Sequence, residues 1–256
     1  MLLVIDVGNT NIVYGLFDGR KLVHQFRVET SRGRTSDEYA VVVHQLLAMR
    51  SVPHSEVKAA IVASVVPAVT EPMLHLVRTG FGFEAELVGP GMKTGMPILI
   101  DNPREVGADR IVNAVAAFDR YKAGLIVVDF GTATTFDCVS PKGEYLGGVI
   151  APGINISADA LFARAARLPR VEIAKPPRAV GKNTQHSMQS GIVYGYVGLV
   201  DGLVTRLIDE LGYADCPVVA TGGLARLIAP LSRMIRDVDD ELTLTGLRLL
   251  HERQIV

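Results

Sequence analysis

The stretch Leu3-Val4-Ile5-Asp6-Val7-Gly8-Asn9-Thr10-Asn11 decides the fold, because a close copy of it returns as Ile126-Val127-Val128-Asp129-Phe130-Gly131-Thr132-Ala133-Thr134. Each copy is an apolar run that ends in Asp, one spacer residue, Gly and small hydrogen-bonding residues. An apolar run of this length predicts a buried strand. The Asp would then lie where a sheet meets solvent, and the Gly would let the backbone turn sharply beside a ligand.

The elements around the two copies repeat as well. From the first copy onward the pattern predicts three strands, at 2–7, 12–18 and 21–28. A helix that begins at Thr35-Ser36-Asp37-Glu38 is predicted to follow them. After the second copy it predicts strands at 124–129, 134–139 and 144–150, and then a helix at 154–167. We therefore predict an α/β fold of two duplicated lobes, residues 1–117 and 118–256, with a nucleotide cleft between them.

The rest of the chain fills out this alternating pattern. In the first half we predict a strand at 59–63, a helix that Pro67 begins, a strand at 84–88 and a helix at 108–122. In the second half we predict a basic, Pro-rich loop at 169–186, a long helix at 187–211, a strand at 217–221, and helices at 223–235 and 243–252.

Composition excludes several classes of protein. The chain has 256 residues and a net charge of −1, so it lacks the basic footprint expected of a nucleic-acid or membrane-surface partner. It has two cysteines, Cys138 and Cys216, without a CxxC pair, which favours a reducing cytoplasm over a disulfide framework. The apolar start is interrupted by Asp6 and has no basic segment before it, so we predict neither a signal peptide nor a membrane span there.

The first copy is a candidate phosphate site. A tight turn at Gly8-Asn9-Thr10-Asn11 can present backbone N–H groups and short polar side chains to phosphate oxygens. Asp6 is a poor neighbour for phosphate by charge alone, so its presence implies a bridging Mg²⁺ or water. The alternative is a hairpin with a capping Asp, and the second copy of the motif favours the functional interpretation.

The second copy is richer in hydroxyl groups. Thr132, Thr134 and Thr135 can reach phosphate oxygens or an ion, and Asp129 can hold a cation. Threonine is also common in strands for reasons of packing alone. We favour a functional role for Asp129 and Thr132, and plain strand propensity for Thr135.

A third candidate lies at the predicted lobe junction, in Asn102-Pro103-Arg104-Glu105-Val106-Gly107-Ala108-Asp109-Arg110. A carboxylate at Asp109 can accept a proton from a substrate hydroxyl, and Arg110 can hold a substrate anion. The alternative is that Asp109 only complements the helix dipole in a first turn. We favour the catalytic interpretation, because the Asp-Arg pair follows directly on Gly107 and Ala108.

Two further Gly-rich turns follow predicted strands, Gly147-Gly148-Val149-Ile150-Ala151-Pro152-Gly153 and Thr221-Gly222-Gly223. Loops in this position commonly bind ligands in α/β sheets, and the Thr221-Gly222-Gly223 turn is the better nucleotide candidate. Neither GxxxxGK[ST] nor GxGxxG occurs in the chain, which argues against a P-loop enzyme and a simple dinucleotide dehydrogenase.

Taken together, these motifs resemble the type III pantothenate kinases, a family of the acetate and sugar kinase, heat-shock chaperone and actin superfamily. The resemblance extends over essentially the whole chain and also includes Arg34-Thr35-Ser36-Asp37-Glu38. The run Gly107-Ala108-Asp109-Arg110, with Asn-Pro-Arg-Glu before it, points to this family in particular. The resemblance implies two actin-like, ribonuclease H-like lobes and phosphorylation of pantothenate by ATP, the first step toward coenzyme A.

The resemblance also implies roles for individual residues. Asp109 would be the proton acceptor, Asp129 would bind a monovalent cation (K⁺ or NH₄⁺), and Asp6 would serve Mg²⁺, if only through water. The ATP contacts would be Asp6, Val7, Gly8, Asn9, Thr10, Asn11, Ile12, Val13 and Thr132. The substrate contacts would be Ile100, Gly107, Ala108, Asp109, Arg110 and Thr184. Within a homodimer, Thr184 would reach the partner's site, and Ile100 stands where the family often has a Tyr.

Two alternatives remain open from the sequence. One is another small-molecule kinase of the same superfamily, such as a sugar kinase. The other is a non-enzymatic regulator or scaffold that keeps the fold. Intact Asp6, Asp109 and Asp129 argue against the second alternative.

Overall fold

A computed structural model describes residues 1–255 and contains two compact units. The first unit comprises Met1–Met96, Asp101–Ala116 and the C-terminal helix, and the second comprises Pro97–Ile100 and Ala117–Glu241. Each unit is built on its own five-stranded sheet.

The sheet of the first unit has the strand order β3-β2-β1-β4-β5. Its strands are β1 (Leu2–Val7), β2 (Asn11–Asp18), β3 (Lys21–Glu29), β4 (Ala59–Ser64) and the short β5 (Glu86–Leu87). Strand β1 pairs antiparallel with β2 and parallel with β4. The carboxyl ends of β1 and β4 therefore lie side by side at one edge of the sheet.

Helices α1 (Ser36–Ala48) and α2 (Pro67–Phe81) contribute to the hydrophobic core of this unit, together with one face of the sheet. Helix α1 has Thr35 as its N-cap, within the predicted Thr35-Ser36-Asp37-Glu38 start. The cap is reciprocal: the Thr35 hydroxyl accepts from the Glu38 N–H, and the Glu38 carboxylate accepts from the Thr35 N–H. Pro67 begins α2 in its first turn, where the missing N–H costs no helical hydrogen bond. Helix α3 (Ala108–Tyr121) begins in this unit.

The sheet of the second unit repeats the same order, β8-β7-β6-β9-β10. Its strands are β6 (Leu125–Phe130), β7 (Ala133–Val139), β8 (Tyr145–Pro152), β9 (Val218–Thr221) and β10 (Asp237–Val238). Strand β6 pairs antiparallel with β7 and parallel with β9, as β1 pairs with β2 and β4. The predicted duplicated α/β fold is confirmed.

Helices α4 (Ile154–Arg164), α5 (Thr184–Leu211) and the short α6 (Ala225–Ile228) belong to the second unit. The buried face of α5, which includes Val193, Tyr196 and Val200, packs into this unit's core. Among the described residues, α5 alone is long and apolar enough to cross a membrane, with a mean hydropathy of 1.4 over its most apolar window.

Several predicted boundaries differ from the structure. The helix predicted at 223–235 is wrong, because Pro230 interrupts it and a single 3₁₀ turn follows α6. Strand β10 was not predicted at all. Helix α4 ends at Arg164 rather than 167, and α5 begins at Thr184 rather than 187, because the Asn183 side chain caps it by accepting from the His186 N–H at 2.8 Å.

The last helix, α7 (Leu242–Ile255), packs with the first unit and not with the residues that precede it in sequence. Its Gly246 lies so close to Val112 of α3 that an added Cβ would overlap the Val112 carbonyl oxygen. The Thr243 hydroxyl donates to the Asn113 side chain at 2.7 Å. The observed units therefore differ from a simple division at 117/118 in this helix and in residues 97–100.

Candidate functional site

The turn after β1 is held by three hydrogen bonds to its own carbonyl groups. The Gly8 N–H donates to the Asn11 carbonyl at 3.0 Å. The Thr30 hydroxyl donates to the Gly8 carbonyl at 2.7 Å, and the Thr30 N–H donates to the Thr10 carbonyl at 3.0 Å. Asn9 is exposed at the tip of this turn. A compact turn with bonded carbonyls and an exposed tip is suited to receive an anion.

Residues on either side of this turn differ in what they can offer a ligand. The side chains of Val7 and Ile12 are fully buried in the core, so only their backbone atoms can contact a nucleotide. Asp6 and Val13 are half-buried and stand opposite each other in the β1–β2 pair.

Asp109 lies in the first turn of α3, where the sequence predicts it. Burial raises the pKa of its carboxyl group, while the hydrogen bond from the Arg110 N–H at 2.8 Å and the Arg110 charge oppose that rise. A Cβ built on Gly107 would lie only 2.5 Å from the Asp109 Oδ1, so the carboxylate occupies space that any side chain at 107 would fill. Gly107 thus makes room for a carboxylate whose pKa is raised by burial, and a raised pKa makes a carboxylate a better proton acceptor.

Val65 joins the Asp109 segment to the end of β1. Its N–H donates to the Val7 carbonyl at 3.1 Å, and its Cγ1 lies 3.6 Å from a Cβ built on Gly107. Val7 at the end of β1 and Gly107, two residues before Asp109, are therefore both next to Val65 within the first unit.

The second unit surrounds Asp129 with glycines. Gly222 has φ +90, and a Cβ there would lie 2.5 Å from the Asp129 Oδ1 and 2.7 Å from Phe130 backbone atoms. A Cβ on Gly131 would lie 3.6 Å from the same oxygen. The predicted Thr221-Gly222-Gly223 turn therefore packs directly against Asp129.

The hydroxyl-bearing residues of the second copy separate as the sequence suggests. Thr132 is exposed at the turn, where the Gly131 N–H donates to the Ala133 carbonyl at 3.0 Å. The Thr135 hydroxyl instead donates to Asp137 at 3.3 Å, which is a structural contact.

The remaining predicted substrate residues also lie in the second unit. Ile100 is half-buried, and its Cγ2 lies 3.4 Å from a Cβ built on Gly147. Thr184 is exposed at the start of α5 and lines a groove of about 690 Å³ between α4 and α5. The groove is lined mainly by apolar or small residues, among them Leu161, Gly191 and Gly195.

The donors for a divalent cation fit a nucleotide-bound metal rather than a resident one. Residues 1–255 contain no group of three or more His, Cys, Asp and Glu side chains that could hold a metal. Mg²⁺ in kinases is usually held by one or two carboxylates together with substrate phosphates. The Asp6 carboxylate beside a phosphate turn matches that donor set.

Sequence reasoning missed Thr30 and Val65. Val65 follows β4, and the parallel pairing of β4 with β1 was the signal that its end lies beside the Asp6 turn. Thr30 follows β3, and no local pattern marks it; only the β2–β3 register, with Asn11 opposite Glu29, brings it to the turn.

Comparisons with known proteins agree with this arrangement. The family described as type III pantothenate kinase matches residues 2–206. A type III pantothenate kinase of Myxococcus xanthus (strain DK1622) is 59% identical over 253 residues, covering 99% of this chain and 98% of that protein.

Solved structures show the same fold at low sequence identity. An inorganic polyphosphate/ATP-glucomannokinase from Arthrobacter sp. strain KM matches with a TM-score of 0.52 and 16% identity, covering 99% of this chain and 98% of the other. A ROK hexokinase from Thermus thermophilus matches with a TM-score of 0.52 and 15% identity, covering 100% and 99%. These structures support the α/β fold of two lobes. From the family match over residues 2–206 and the high identity over the full length, the chain belongs to the type III pantothenate kinase family.

Proposed function

We propose that Asp109 is the general base with which this member of the family phosphorylates pantothenate. The chain is a kinase that transfers a phosphoryl group from ATP to pantothenate and so begins coenzyme A biosynthesis. A sugar as substrate, or a role as a scaffold, is not favoured by relatives of this identity and coverage. The observation that carries the base assignment is the carboxylate of Asp109, half-buried against Gly107 with a raised pKa.

The proposed step is a direct transfer of the γ-phosphoryl group from ATP to the pantothenate hydroxyl. The pantothenate hydroxyl gives its proton to the Asp109 carboxylate while its oxygen attacks the γ-phosphorus of ATP. The bond from that phosphorus to the bridging oxygen breaks, and ADP leaves with the electron pair. Because such transfer depends on alignment and charge neutralisation, the protein needs to position the reactants more than to react with them. Gly107, Ala108 and Arg110 are the proposed substrate contacts, with Arg110 holding the pantothenate carboxylate.

For ATP, we propose that the turn from Asp6 to Asn11, with backbone atoms of Ile12 and Val13, binds the phosphates. Thr132 is the proposed contact from the second unit. Mg²⁺, held at Asp6 directly or through water, would neutralise charge on the phosphates. The test is transfer of ³²P from labelled ATP to pantothenate, compared with glucose and N-acetylglucosamine. Transfer to a sugar but not to pantothenate would contradict the proposal.

We propose that Asp129 holds a monovalent cation. Its support is the close approach of Gly222 and Gly131, whose backbones lie beside the carboxylate. Activity with K⁺, NH₄⁺ or Na⁺ as the only monovalent cation tests this. Asp129→Asn should abolish the activation by K⁺ or NH₄⁺, and equal activation of the variant and the wild type would contradict the assignment.

A homodimer through α5 is the assembly we propose. Gly191, Gly195 and Gly198 are exposed on one face of this helix, and apart from adjacent residues and the helix's own backbone no described atom lies within 4 Å of a Cβ built on any of them. Glycine inside a helix costs up to about 1 kcal/mol relative to Ala, so three on one face call for a compensating contact. Close approach of a second copy supplies one, and the exposed Leu161 and Phe162 of α4 extend the same apolar surface.

Gly195→Leu tests the dimer, because it fills open space in the single chain and should leave the fold intact. Light scattering after size-exclusion chromatography should give twice the chain mass for the wild type and a shift toward the monomer for the variant. A monomeric wild type would contradict the proposal.

Mixed dimers test whether Thr184 serves the substrate site of the other copy. Asp109→Asn and Thr184→Ala dimers should each have low activity. A heterodimer of the two has one site with both native residues, so mixing under exchange should restore activity. No restoration on mixing would show that Thr184 acts within its own chain or not at all.

A reducing cytoplasm is the compartment we propose. Cys138 and Cys216 are both free thiols buried in the second unit. Cell fractionation with tagged protein tests it, and recovery from an oxidising compartment would contradict it.

A further inference from the structure

Two carbonyl groups of the phosphate turn accept hydrogen bonds from a single residue outside it, Thr30. Its hydroxyl donates to the Gly8 carbonyl at 2.7 Å, and its N–H donates to the Thr10 carbonyl at 3.0 Å. Thr30 follows directly on β3, so it approaches the turn from the sheet side.

The direction of these bonds has a consequence for the amide groups. In a trans peptide the C=O and the following N–H point in opposite directions across one plane. Holding the Gly8 carbonyl therefore sets the direction of the Asn9 N–H, and holding the Thr10 carbonyl sets that of the Asn11 N–H. A turn that binds anions must present N–H groups and keep its carbonyl oxygens away from the ligand.

Thr30 itself is well anchored. The next residue, Ser31, is fixed at both backbone groups by the Tyr39 hydroxyl, which accepts from the Ser31 N–H at 3.0 Å and donates to the Ser31 carbonyl at 2.8 Å. Tyr39 is fully buried in α1. The support for the turn is thus connected to the core of the first unit.

The second unit has a support at the corresponding place, with different chemistry. Gly153 follows β8 as Thr30 follows β3, and a Cβ on Gly153 would overlap the carbonyl oxygen of Thr132. There the backbone itself lies against the turn carbonyls, without a side chain. The residue after the third strand contacts the Asp-x-Gly turn in both units.

We infer that Thr30 is a positioning residue that orients the backbone N–H groups of the Gly8–Asn11 turn toward the phosphates of ATP. The inference rests on the proposed role of that turn as the phosphate site. Thr30 acts through the turn and needs no contact with the nucleotide, so it sets the affinity for ATP while leaving pantothenate binding unchanged.

The test compares Thr30→Val, which keeps the shape and loses the hydroxyl, with Thr30→Ser, which keeps the hydroxyl. A net hydrogen bond of about 0.5–1.5 kcal/mol corresponds to a rise in the KM for ATP of about 2- to 13-fold for Thr30→Val. The KM for pantothenate should change less than about 2-fold, and Thr30→Ser should stay within about 2-fold of the wild type in both. Thr79→Val is the matched control, because the exposed Thr79 hydroxyl also donates to a carbonyl, that of His75, at 2.9 Å.

Two outcomes overturn the inference. One is an unchanged KM for ATP in Thr30→Val. The other is a lowered Tm with both KM values raised alike and no rescue by serine, which would make Thr30 a stability residue only. A separate variant, Asn9→Pro, removes one of the oriented N–H groups. If Asn9→Pro leaves the KM for ATP unchanged, the phosphate role of the turn itself is refuted, whatever Thr30→Val shows.

Discussion

Replacing Asp109 by Asn should separate catalysis from binding. The Asp109 carboxylate accepts from the Arg110 N–H at 2.8 Å. Asparagine has nearly the same shape, so its Oδ1 can accept the same hydrogen bond, and its side chain still fits against Gly107. What is lost is the ability to take a proton. A positioned general base contributes about 10²- to 10⁴-fold in rate, or about 3–5 kcal/mol of the barrier. We expect kcat to fall by at least about 100-fold while ATP binding stays within about 3-fold.

The assay couples ADP release to NADH oxidation, and calorimetric titration with ATP measures binding separately. Because burial raises the pKa of Asp109, wild-type activity should fall as the pH drops through that raised value. The residual activity of Asp109→Asn should lack this acid limb. A variant that retains activity within about 5-fold, or that keeps the acid limb unchanged, would refute the base assignment.

The same substitution should make the protein more stable. A carboxyl group with a raised pKa in the fold binds its proton more tightly there than in the unfolded chain, so folding is weakened as the pH rises from the unfolded to the folded pKa. Above the folded pKa that cost is fully present, and Asn removes it. Thermal melts should show a higher Tm for Asp109→Asn at pH 7 and a shrinking difference toward acid, and a lower Tm at pH 7 would contradict the burial argument.

Two further substitutions test the packing of each unit. Gly153→Ala should displace the turn at Thr132, because the added Cβ would overlap the Thr132 carbonyl oxygen. We expect the Tm to fall by several degrees and ATP binding to weaken. A variant with the native Tm and the native ATP affinity would contradict this. Burial and the neighbouring His54 lower the pKa of His44 from its usual 6.5, so the unfolded chain binds the proton better and stability should fall as the pH drops below 6.5. His44→Gln should therefore lose less Tm than the wild type between pH 7 and pH 5, and parallel losses would contradict this.

Much of the fold could be predicted because its strands are apolar runs that end in recognisable turns. The central strands β1 and β6 are almost wholly buried, so hydrophobicity alone marks them. The strand predicted at 84–88 is present but shortens to the two residues of β5, whereas the two residues of β10 are too few for any alternation to predict a strand. The C-terminal helix could be predicted as a helix but not assigned to the first unit, since its partner α3 is distant in sequence.

The candidate site also has one part that could be predicted from the sequence and one part that could not. Asp109 and the two Asp-x-Gly turns could be predicted, because each is a local pattern of residue types. Thr30 could not, because its role depends on strand register: two β-strands must pair before it meets the Gly8 carbonyl. Residues that form a motif along the chain can be found from the sequence, whereas a residue that contacts a turn through strand pairing can be found only once the register of the sheet is known.

This distinction explains why the two turns need not be equivalent even though their motifs match. In the first unit the Thr30 hydroxyl donates to one turn carbonyl and the Thr30 N–H donates to another, and in the second unit a glycine lets the backbone approach the turn carbonyls. One substitution can remove the Thr30 hydroxyl without moving the backbone. At Gly153, by contrast, any added side chain would clash with the Thr132 carbonyl oxygen. The proposed phosphate turn of the first unit is therefore held by a side-chain hydrogen bond that one substitution removes, whereas the matching turn of the second unit lies against a glycine that leaves no room for a side chain.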